Sequence, residues 1–455
     1  MQVFLLDRAK ILGKKLAEGA FFREKEAVIN CFYCITLIFI LQYGYGAGGF
    51  PGPKSKGGMG CVMKNFRLTE KEMNALAERY PTPFLVASLD KVEENYQFMR
   101  HHLPRAGVFY AMKANPTPQV LAKLAALGAH FDVASAGEME ILHDLGISGA
   151  QMIYANPVKD RAGLKAAAAL GVRRFTFDDE SEIDKMAKAV PGADVLVRIA
   201  VRNNKALVDL NTKFGAPVEE ALALLIKAQQ AGLHAMGICF HVGSQSLSTA
   251  AYEEALLVAR KLFDEAETLG LHLTDLDIGG GFPVPDAAGL NVDLAAMLEA
   301  INKQIDRLFP DTAVWTEPGR YMCGTAVNLV TSVIGTKKRG AQPWYILDEG
   351  IYGCFSGIIY DHWTYPLHCF GKGKKSPATF GGPSCDGIDV LYRDFMTPEL
   401  KIGDKVLVTE MGAYTSVSAT RFNGFYLAPT IIFEEEPEYA ARQQDDDNQA
   451  DKAAV

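Results

Sequence analysis

A lysine inside an apolar stretch and a run of three glycines are the features of this sequence that most directly suggest chemistry. Lys113 ends the stretch 107-GVFYAMK-113, and Gly279-Gly280-Gly281 follows the apolar stretch 273-LTDLDIG-279. A lysine removed from water is a competent amine for a Schiff base with an aldehyde. Consecutive glycines expose backbone N–H groups that bind a phosphate, although they also form simple turns. Each feature alone is a weak signal, because a lysine at a strand end usually extends its amine into solvent.

Several polar residues elsewhere would complete such a site. The Ser244 hydroxyl, Gly319 and Arg320 can add donors to a phosphate. A Schiff-base lysine combined with a single-phosphate cradle suggests pyridoxal phosphate. Glu317 would then face the pyridine nitrogen, keep it protonated and make the ring an electron sink for a carbanion. His241 can stack on the ring face, but it can also be an ordinary core histidine.

Three loops near the end of the chain carry further candidates. Gly382 to Gly387 presents the thiol of Cys385 between Ser384 and Asp386, although such a loop is often an ordinary turn with a packed cysteine. Tyr360 and Asp361 begin a polar turn, and Tyr414 follows an apolar stretch. These loops offer a proton donor and two carboxylates.

The elements that position these residues repeat a short apolar stretch, a polar turn and an amphipathic helix. The apolar stretches span residues 107–113, 129–135, 151–157, 172–178, 193–200, 235–242, 273–279 and 313–319. Helical patterns separate them, and another precedes the first stretch at 89–102. Eight alternating units predict an α/β fold, a closed (β/α)8 barrel of the TIM type, whose chemistry gathers where the strands end. The residues expected at that rim are Lys113, Asp132, Ser135, Asn156, Asp178, Arg198, His241, Ser244, Gly279, Gly280, Gly281, Glu317, Gly319 and Arg320.

The chain changes character after residue 325. Residues 327–338, 344–350, 387–394, 405–411 and 426–435 have strand patterns broken by Gly and Pro, and they predict a mostly antiparallel β-domain. We therefore expect a barrel at 89–325, a β-domain formed by 63–88 and 326–435, and an acidic, frayed tail at 436–455.

Composition excludes several classes of protein. The 455 residues are 49% hydrophobic and 22% charged, with a net charge of −8, so the chain is neither disordered nor equipped with the basic stripe of a nucleic-acid binder. The 8 cysteines are scattered, which favours thiols in a reducing, cytoplasmic compartment. The single Cys31-x-x-Cys34 pair is weak evidence for a metal site, and we expect no metal.

Residues 1–62 stand apart from the rest. Residues 27–43 form an apolar stretch that is close to the minimum length of a membrane span, and basic residues precede it. It is interpreted as a translation start placed too early, since Met63 opens a polar segment typical of a domain start. A membrane anchor or targeting segment and an ordered extension remain as alternatives.

Taken together, the motifs YAMKAN, FDVASAGE, HVGSQ, DIGGGF, TEPGRY, YDH, GPSCDG, MGAY and FNGF resemble the fold-type III pyridoxal phosphate decarboxylases. Within them the chain resembles the eukaryotic-type ornithine decarboxylases, and among these the bacterial lysine/ornithine enzymes. The resemblance covers most of residues 63–435. It implies an alanine racemase-like barrel with a β-domain, and a head-to-tail homodimer with two shared sites.

The resemblance also implies roles for individual residues. Lys113 would bond the cofactor, Glu317 would pair with the pyridine nitrogen, and His241 would stack on the ring. Cys385 of the partner subunit would protonate the substrate carbon after CO2 leaves. The residues expected to hold the phosphate or to support the cofactor are Ser244, Gly279, Gly280, Gly281, Gly319, Arg320, Tyr414, Asp132, Glu138 and Arg198. Tyr360, Asp361, Ser384 and the partner's Asp386 would surround the substrate, and Lys213 with Asp389 would form a salt bridge between subunits.

The implied reaction is decarboxylation of L-lysine or L-ornithine to cadaverine or putrescine, a step of polyamine biosynthesis. Two carboxylates suit the distal ammonium of these substrates. Ser384 stands where the eukaryotic ornithine enzymes have threonine, and the extra room of about one methyl group predicts use of both substrates. An amino-acid racemase would instead place an arginine at Glu317, and a non-catalytic homologue would lack Lys113 or Cys385.

Overall fold

The computed structural model of this chain describes residues 64–201, 213–284 and 292–444, and the backbone of 206–208. The interpretations of residues 1–62 therefore lie outside the described residues. None of the helices in the described ranges combines the length and the apolar character that crossing a membrane requires.

Strands run from the first described helix to the end of the second domain. In chain order they are β1 (Phe84–Ala87), β2 (Ala106–Ala111), β3 (His130–Val133), β4 (Met152–Tyr154), β5 (Arg174–Phe177), β6 (Asp194–Ile199), β7 (Ala206–Val208), β8 (His234–Phe240), β9 (Ser244–Ser246), β10 (Asp275–Asp277), β11 (Ala313–Thr316), β12 (Val327–Arg339), β13 (Gln342–Leu347), β14 (Leu367–Cys369), β15 (Ser376–Gly381), β16 (Val390–Thr397), β17 (Lys405–Val408) and β18 (Thr430–Ile432).

Helices alternate with the strands of the first domain and become short in the second. They are α1 (Glu70–Arg79), α2 (Leu89–His102), α3 (Pro118–Ala126), α4 (Ala136–Asp144), α5 (Arg161–Leu170), α6 (Glu180–Ala189), α7 (Ala221–Gln230), α8 (Thr249–Thr268), α9 (Leu294–Leu308), α10 (Arg320–Cys323) and α11 (Gly357–Tyr360).

Eight parallel strands close into a barrel in the order β10–β11–β2–β3–β4–β5–β6–β8. The predicted (β/α)8 barrel is therefore confirmed. Because every strand runs in the same direction, their carboxyl ends meet at one rim. Phe109, Leu196 and Trp315 are among the buried side chains that fill the interior below that rim. The barrel is consequently a packed support for residues that follow its strands.

The second domain is a mixed, mostly antiparallel sheet, as predicted. Its strand order is β14–β17–β12–β13–β15–β16, and β1 adds to it by pairing antiparallel with β12 and parallel with β18. The sequence patterns did not reveal β14 or β15, since β15 begins with Ser376 and Pro377, which are poor strand formers. The stretch 426–435 was predicted as one strand, but only Thr430–Ile432 is extended and paired.

Side-chain caps fix where the barrel helices begin. Ser135 Oγ accepts a hydrogen bond from the N–H of Glu138 at the start of α4, and Ser88 caps α2 in the same way. The Glu138 carboxylate in turn accepts a hydrogen bond from the N–H of Ala134 at 2.6 Å. These contacts pin the loop between β3 and α4, which lies directly after Asp132.

The segment after β18 packs against α1. Arg442 forms a bidentate ion pair with Glu72, at 2.8 Å and 2.5 Å, and Arg79 pairs with Glu436 and Glu438. The prediction of a frayed tail from residue 436 onward is therefore wrong for residues 436–442. The reason is that three basic and acidic side chains find partners far away in the sequence, which a local pattern does not show.

Replacing Arg442 by alanine should lower the free energy of unfolding by about 1–2 kcal/mol at pH 7, since the pair is half-buried and bidentate. Burial raises the pKa of Glu72, but Arg442 and the Thr69 donors lower it by more. Because the pKa is lowered in the folded state, the stabilisation is present above the ordinary carboxyl pKa and is lost as the pH falls through the folded value.

Urea unfolding of wild type and Arg442→Ala at pH 7 and pH 3.5 checks this. The two curves should differ at pH 7 and approach each other at pH 3.5. Arg161→Ala, at an exposed helix start, should leave the midpoint unchanged. A difference that persists in acid would contradict the ion-pair explanation.

Candidate active site

Lys113 is the accessible amine at the mouth of the barrel. It lies in the short 3-10 turn Met112–Ala114 directly after β2, and its Nζ donates to Asp132 Oδ2 at 2.6 Å. The Lys113 side chain is 48% exposed, whereas that of Asp132 is 1% exposed. Burial lowers the pKa of Lys113, but the Asp132 carboxylate and its anionic neighbours raise it by more. The amine is thus a cation held by a buried carboxylate and open on its other side.

Glu317 lies across the same mouth, after β11. Its N–H donates to the carbonyl of Gly279 at 2.8 Å, and its side chain hydrogen-bonds with that of Asp277. Glu317 Oε1 is buried and has no hydrogen-bond partner among the described residues. Burial, together with the Asp277 and Asp132 carboxylates, raises the pKa of Glu317 well above its usual range. The side chain therefore offers one free oxygen in a dry, acidic setting.

The three glycines form a tight turn after β10 that only glycine fits. Gly281 has φ +99°, and a Cβ on it would lie 2.2 Å from the carbonyl oxygen of Gly243. A Cβ on Gly280 would lie 2.3 Å from the carbonyl oxygen of Glu317. All three were predicted to offer N–H groups to a phosphate, but the N–H of Gly279 donates instead to Asp277 Oδ1 at 2.8 Å. The phosphate role remains a prediction for Gly280 and Gly281.

His241 and Arg198 form another side of the mouth. His241 Nδ1 accepts a hydrogen bond from the N–H of Gly243 at 2.9 Å, which leaves the ring proton on Nε2. Burial and the neighbouring cations Arg198 and Lys113 lower the pKa of His241 well below its usual range, so the ring is neutral. Arg198 lies 5.1 Å from the ring centre of Phe214, and its Nε and Nη2 are buried without a partner among the described residues.

Arg320 connects the barrel with the sheet domain. Its guanidinium lies between the rings of Trp363 and Tyr414, at 4.8 Å and 4.7 Å from their centres, and Nη2 bonds Asp361 at 2.5 Å. Arg320 Nε is buried without a partner in the described ranges. The predicted phosphate ligand Arg320 and the predicted substrate ligand Asp361 are therefore paired with each other.

Tyr414 is held beside Gly319. Its N–H donates to the carbonyl of Ala114, next to Lys113, and its φ is +55°. A Cβ on Gly319 would lie 3.3 Å from the Tyr414 hydroxyl, so the phenol reaches the start of α10. Burial raises the pKa of Tyr414, which keeps the phenol protonated as a hydrogen-bond donor. Ser244 begins β9, which pairs with β7.

The loop that carries Cys385 has its described contacts within the sheet domain. Cys385 is exposed, and its N–H donates to Asn423 Oδ1 at 3.1 Å. Asp386 Oδ2 accepts from the Tyr352 hydroxyl at 2.5 Å, and the Ser384 N–H donates to the buried Asp389. The Tyr360 side chain is exposed. These predicted residues are not brought to Lys113 by any contact described within one chain.

Two residues that the sequence did not single out support the site. Asp277 is 1% exposed and joins the glycine turn to Glu317, and the Tyr252 hydroxyl donates to the carbonyl of Gly280 at 2.8 Å. The only sequence signal for Asp277 is a carboxylate inside the apolar stretch that precedes the glycines. Burial raises the pKa of Asp277 to about 6.

The buried polar atoms without partners suit one bound group. Buried polar groups are normally hydrogen-bonded, so Glu317 Oε1, Arg198 Nε and Arg320 Nε indicate contacts with something held in the mouth. A carboxylate oxygen suits a protonated ring nitrogen, and an arginine beside a phenol and a glycine-rich helix start suits a phosphate. With the amine of Lys113 open to an aldehyde, these residues fit pyridoxal phosphate.

Comparisons with known proteins agree with this chemistry. The model of the pyridoxal-dependent decarboxylase family, pyridoxal binding domain, matches residues 89–324. The chain is 87% identical to lysine/ornithine decarboxylase of Selenomonas ruminantium over 393 residues, which is 86% of this chain and all of that protein.

Solved structures are similar as well. A crystal structure of SrLDC in complex with PLP and cadaverine has a TM-score of 0.82 and 86% identity, and the match covers 85% of this chain and 99% of that one. The lysine/ornithine decarboxylase of Vibrio vulnificus, complexed with putrescine, has a TM-score of 0.76 and 35% identity, over 81% of this chain and all of that one.

Proposed function

This chain belongs to the fold-type III pyridoxal phosphate decarboxylases, in the group of the eukaryotic-type ornithine decarboxylases, and on that premise we propose that it decarboxylates L-lysine and L-ornithine. The products are cadaverine and putrescine. The observation that carries the proposal is the exposed amine of Lys113, held by Asp132 in the same barrel mouth as the unpartnered oxygen of Glu317.

The cofactor supplies an electron sink that stabilises the carbanion left when CO2 departs. Lys113 supplies the amine that bonds its aldehyde, and Asp132 keeps that amine in place. The free oxygen of Glu317 holds a proton at the pyridine nitrogen. His241 is neutral, so it packs on a cationic ring without repelling it. Arg320, Tyr414, Ser244 and the N–H groups of the glycines bind the phosphate.

Substrate recognition depends on carboxylates beyond the cofactor. Asp361, with the partner's Asp386, binds the distal ammonium, and the exposed Tyr360 lies beside Asp361. The Arg320 partner of Asp361 limits how much negative charge the free protein carries there. An ammonium group is attracted to a carboxylate pair in a site that excludes water, which selects substrates with a cationic end.

Cys385 would reach the reacting carbon from a second copy of the chain. The loop with Cys385 is tied to Asn423, and the same surface exposes large apolar side chains: Ile388 (58%), Phe422 (37%), Phe425 (43%), Tyr426 (90%) and Leu427 (42%). An apolar surface of this size is typical of a protein–protein contact. This supports a homodimer in which each thiol completes the partner's site and returns a proton to the carbon that lost CO2.

The described cysteines support a reducing location for the protein. Cys239, Cys323, Cys354, Cys369 and Cys385 are free thiols. Because thiols persist in the cytosol, a cytoplasmic enzyme is the proposal that fits them.

Release of CO2 from ornithine, lysine, arginine and diaminopimelate, measured in parallel, tests the activity. Lysine and ornithine should be turned over, with cadaverine and putrescine formed in equal amounts to the CO2. Arginine and diaminopimelate should react at least about a hundredfold more slowly, because their ends do not suit the carboxylate pair. No CO2 from lysine and ornithine would refute the proposal.

Substitution of Ser384 by threonine should shift preference toward ornithine. The added methyl removes room of about one methylene, which is worth about 1–3 kcal/mol of discrimination between substrates that differ by one methylene. We expect the ratio of kcat/KM for lysine to that for ornithine to fall by about tenfold. Ser376→Thr, exposed at the start of β15, should leave the ratio unchanged. An unchanged ratio in Ser384→Thr would show that Ser384 does not line the substrate pocket.

A further inference from the structure

Asp277 and Glu317 form a buried pair of carboxylates in the mouth of the barrel. Asp277 is 1% exposed at the end of β10, and its side chain hydrogen-bonds with that of Glu317 at the end of β11. Two carboxylates in contact cannot both ionise in a dry site without a large cost, so the pair retains one proton. The question is which of the two carboxylic groups carries it.

The hydrogen bonds around the pair favour one arrangement. Asp277 Oδ1 already accepts from the N–H of Gly279, so the other oxygen is the one available to bear a proton. Glu317 has one oxygen toward Asp277, and Oε1 is left without a partner among the described residues. A proton on Asp277 therefore satisfies both carboxylates and leaves the outward oxygen of Glu317 as a bare acceptor.

The charges that face the pair are compatible with this. The titratable and charged groups around it are Asp132, Lys113, Arg198, Cys239 and His241. The cations Lys113 and Arg198 stabilise one ionised carboxylate, while Asp132 disfavours a second one. Burial keeps the Cys239 thiol and His241 neutral. One proton on the pair is thus the favoured state near neutral pH.

We propose that Asp277 is a positioning residue for the cofactor's ring nitrogen: it holds the shared proton, donates a hydrogen bond to Glu317, and leaves Glu317 ionised toward the ring. This rests on the proposed contact of Glu317 with that nitrogen. The proton stays on Asp277 when the cofactor binds, and the ring N–H donates to Glu317 Oε1. Asp277 acts only through Glu317 and touches neither substrate nor cofactor.

The test compares binding of pyridoxal phosphate with binding of its analogue that has C–H in place of the ring nitrogen. The apo proteins are titrated by fluorescence, and the ratio of the two dissociation constants reports the contact of Glu317 with the nitrogen. Wild type should prefer the natural cofactor by at least about tenfold. Asp277→Ala should lose most of that preference, whereas Asp277→Asn should keep it within about twofold, since an amide N–H also donates to Glu317.

Controls separate this role from support of the fold. Damage to the glycine turn weakens both ligands equally and leaves the ratio unchanged, so a ratio preserved in Asp277→Ala would overturn the inference. A preference lost in Asp277→Asn would also overturn it, because Asp277 would then act as an anion; this holds even if the alanine variant does not fold. Asp275→Asn, on the same strand, should change nothing. If wild type binds both ligands equally, the proposed contact of Glu317 itself fails.

Discussion

Replacing Lys113 by alanine is expected to lower kcat/KM for lysine and ornithine by at least about 10³-fold, because the variant has no amine to bond the cofactor. The visible absorbance of the lysine-bound cofactor should disappear with the activity. Lys113 is suited to this role because its Nζ is anchored by Asp132 while its side chain is 48% exposed. Removal of a half-exposed side chain leaves the barrel core intact, so the protein should still fold.

Two controls distinguish the amine from its charge. Lys113→Arg keeps a cation beside Asp132, but a guanidinium does not form the bond, so activity and absorbance should still be lost. Lys123→Ala, on the outer surface of the following helix, should behave as wild type. A Lys113→Ala protein that keeps both the visible absorbance and turnover would contradict the assignment.

Replacing Cys385 by alanine is expected to reduce amine formation by about 10²-fold or more, because the carbanion loses its proton donor. Product analysis should show a larger share of transamination. Cofactor absorbance should remain, since the Cys385 loop has its described contacts in the sheet domain rather than at Lys113. Cys369→Ala, in β14, should be neutral. Unchanged amine formation in Cys385→Ala would exclude the thiol as the donor.

Mixing the two inactive variants tests whether the sites are shared. If Lys113 and Cys385 of one site come from different subunits, a mixed dimer contains one intact site. Random exchange of equal amounts should then restore about a quarter of wild-type activity, since half of the dimers are mixed and each has one working site of two. No recovery after verified subunit exchange would indicate that each site is built from one chain.

The sequence predicted the barrel well because its evidence is local. Each apolar stretch, such as 107–113 or 313–319, is followed by a polar turn and a helical pattern, and the strands Ala106–Ala111 and Ala313–Thr316 lie where those patterns place them. Parallel strands necessarily end at one rim. Lys113 and Glu317 could therefore be assigned to one mouth, even though about two hundred residues separate them in the chain.

What the sequence missed depends on contacts between distant residues. Asp277 is one carboxylate in an apolar stretch, and only the packing of β10 against β11 shows that it hydrogen-bonds with Glu317. The pairing of Arg320 with Asp361 joins two domains and has no local signal. The packing of Arg442 on Glu72 likewise overrode the acidic composition of the last segment. In each case the partner lies far away along the chain.

Reduction of the cofactor-loaded protein with borohydride, followed by peptide mapping, tests the central claim most directly. The reagent converts the covalent link between a lysine and the cofactor to a stable amine, which marks that lysine. The phosphopyridoxyl mass should be found on the peptide that contains Lys113, with about one label for each chain. A label on another lysine, such as the buried Lys159, or no label in a protein that still decarboxylates lysine, would contradict the account.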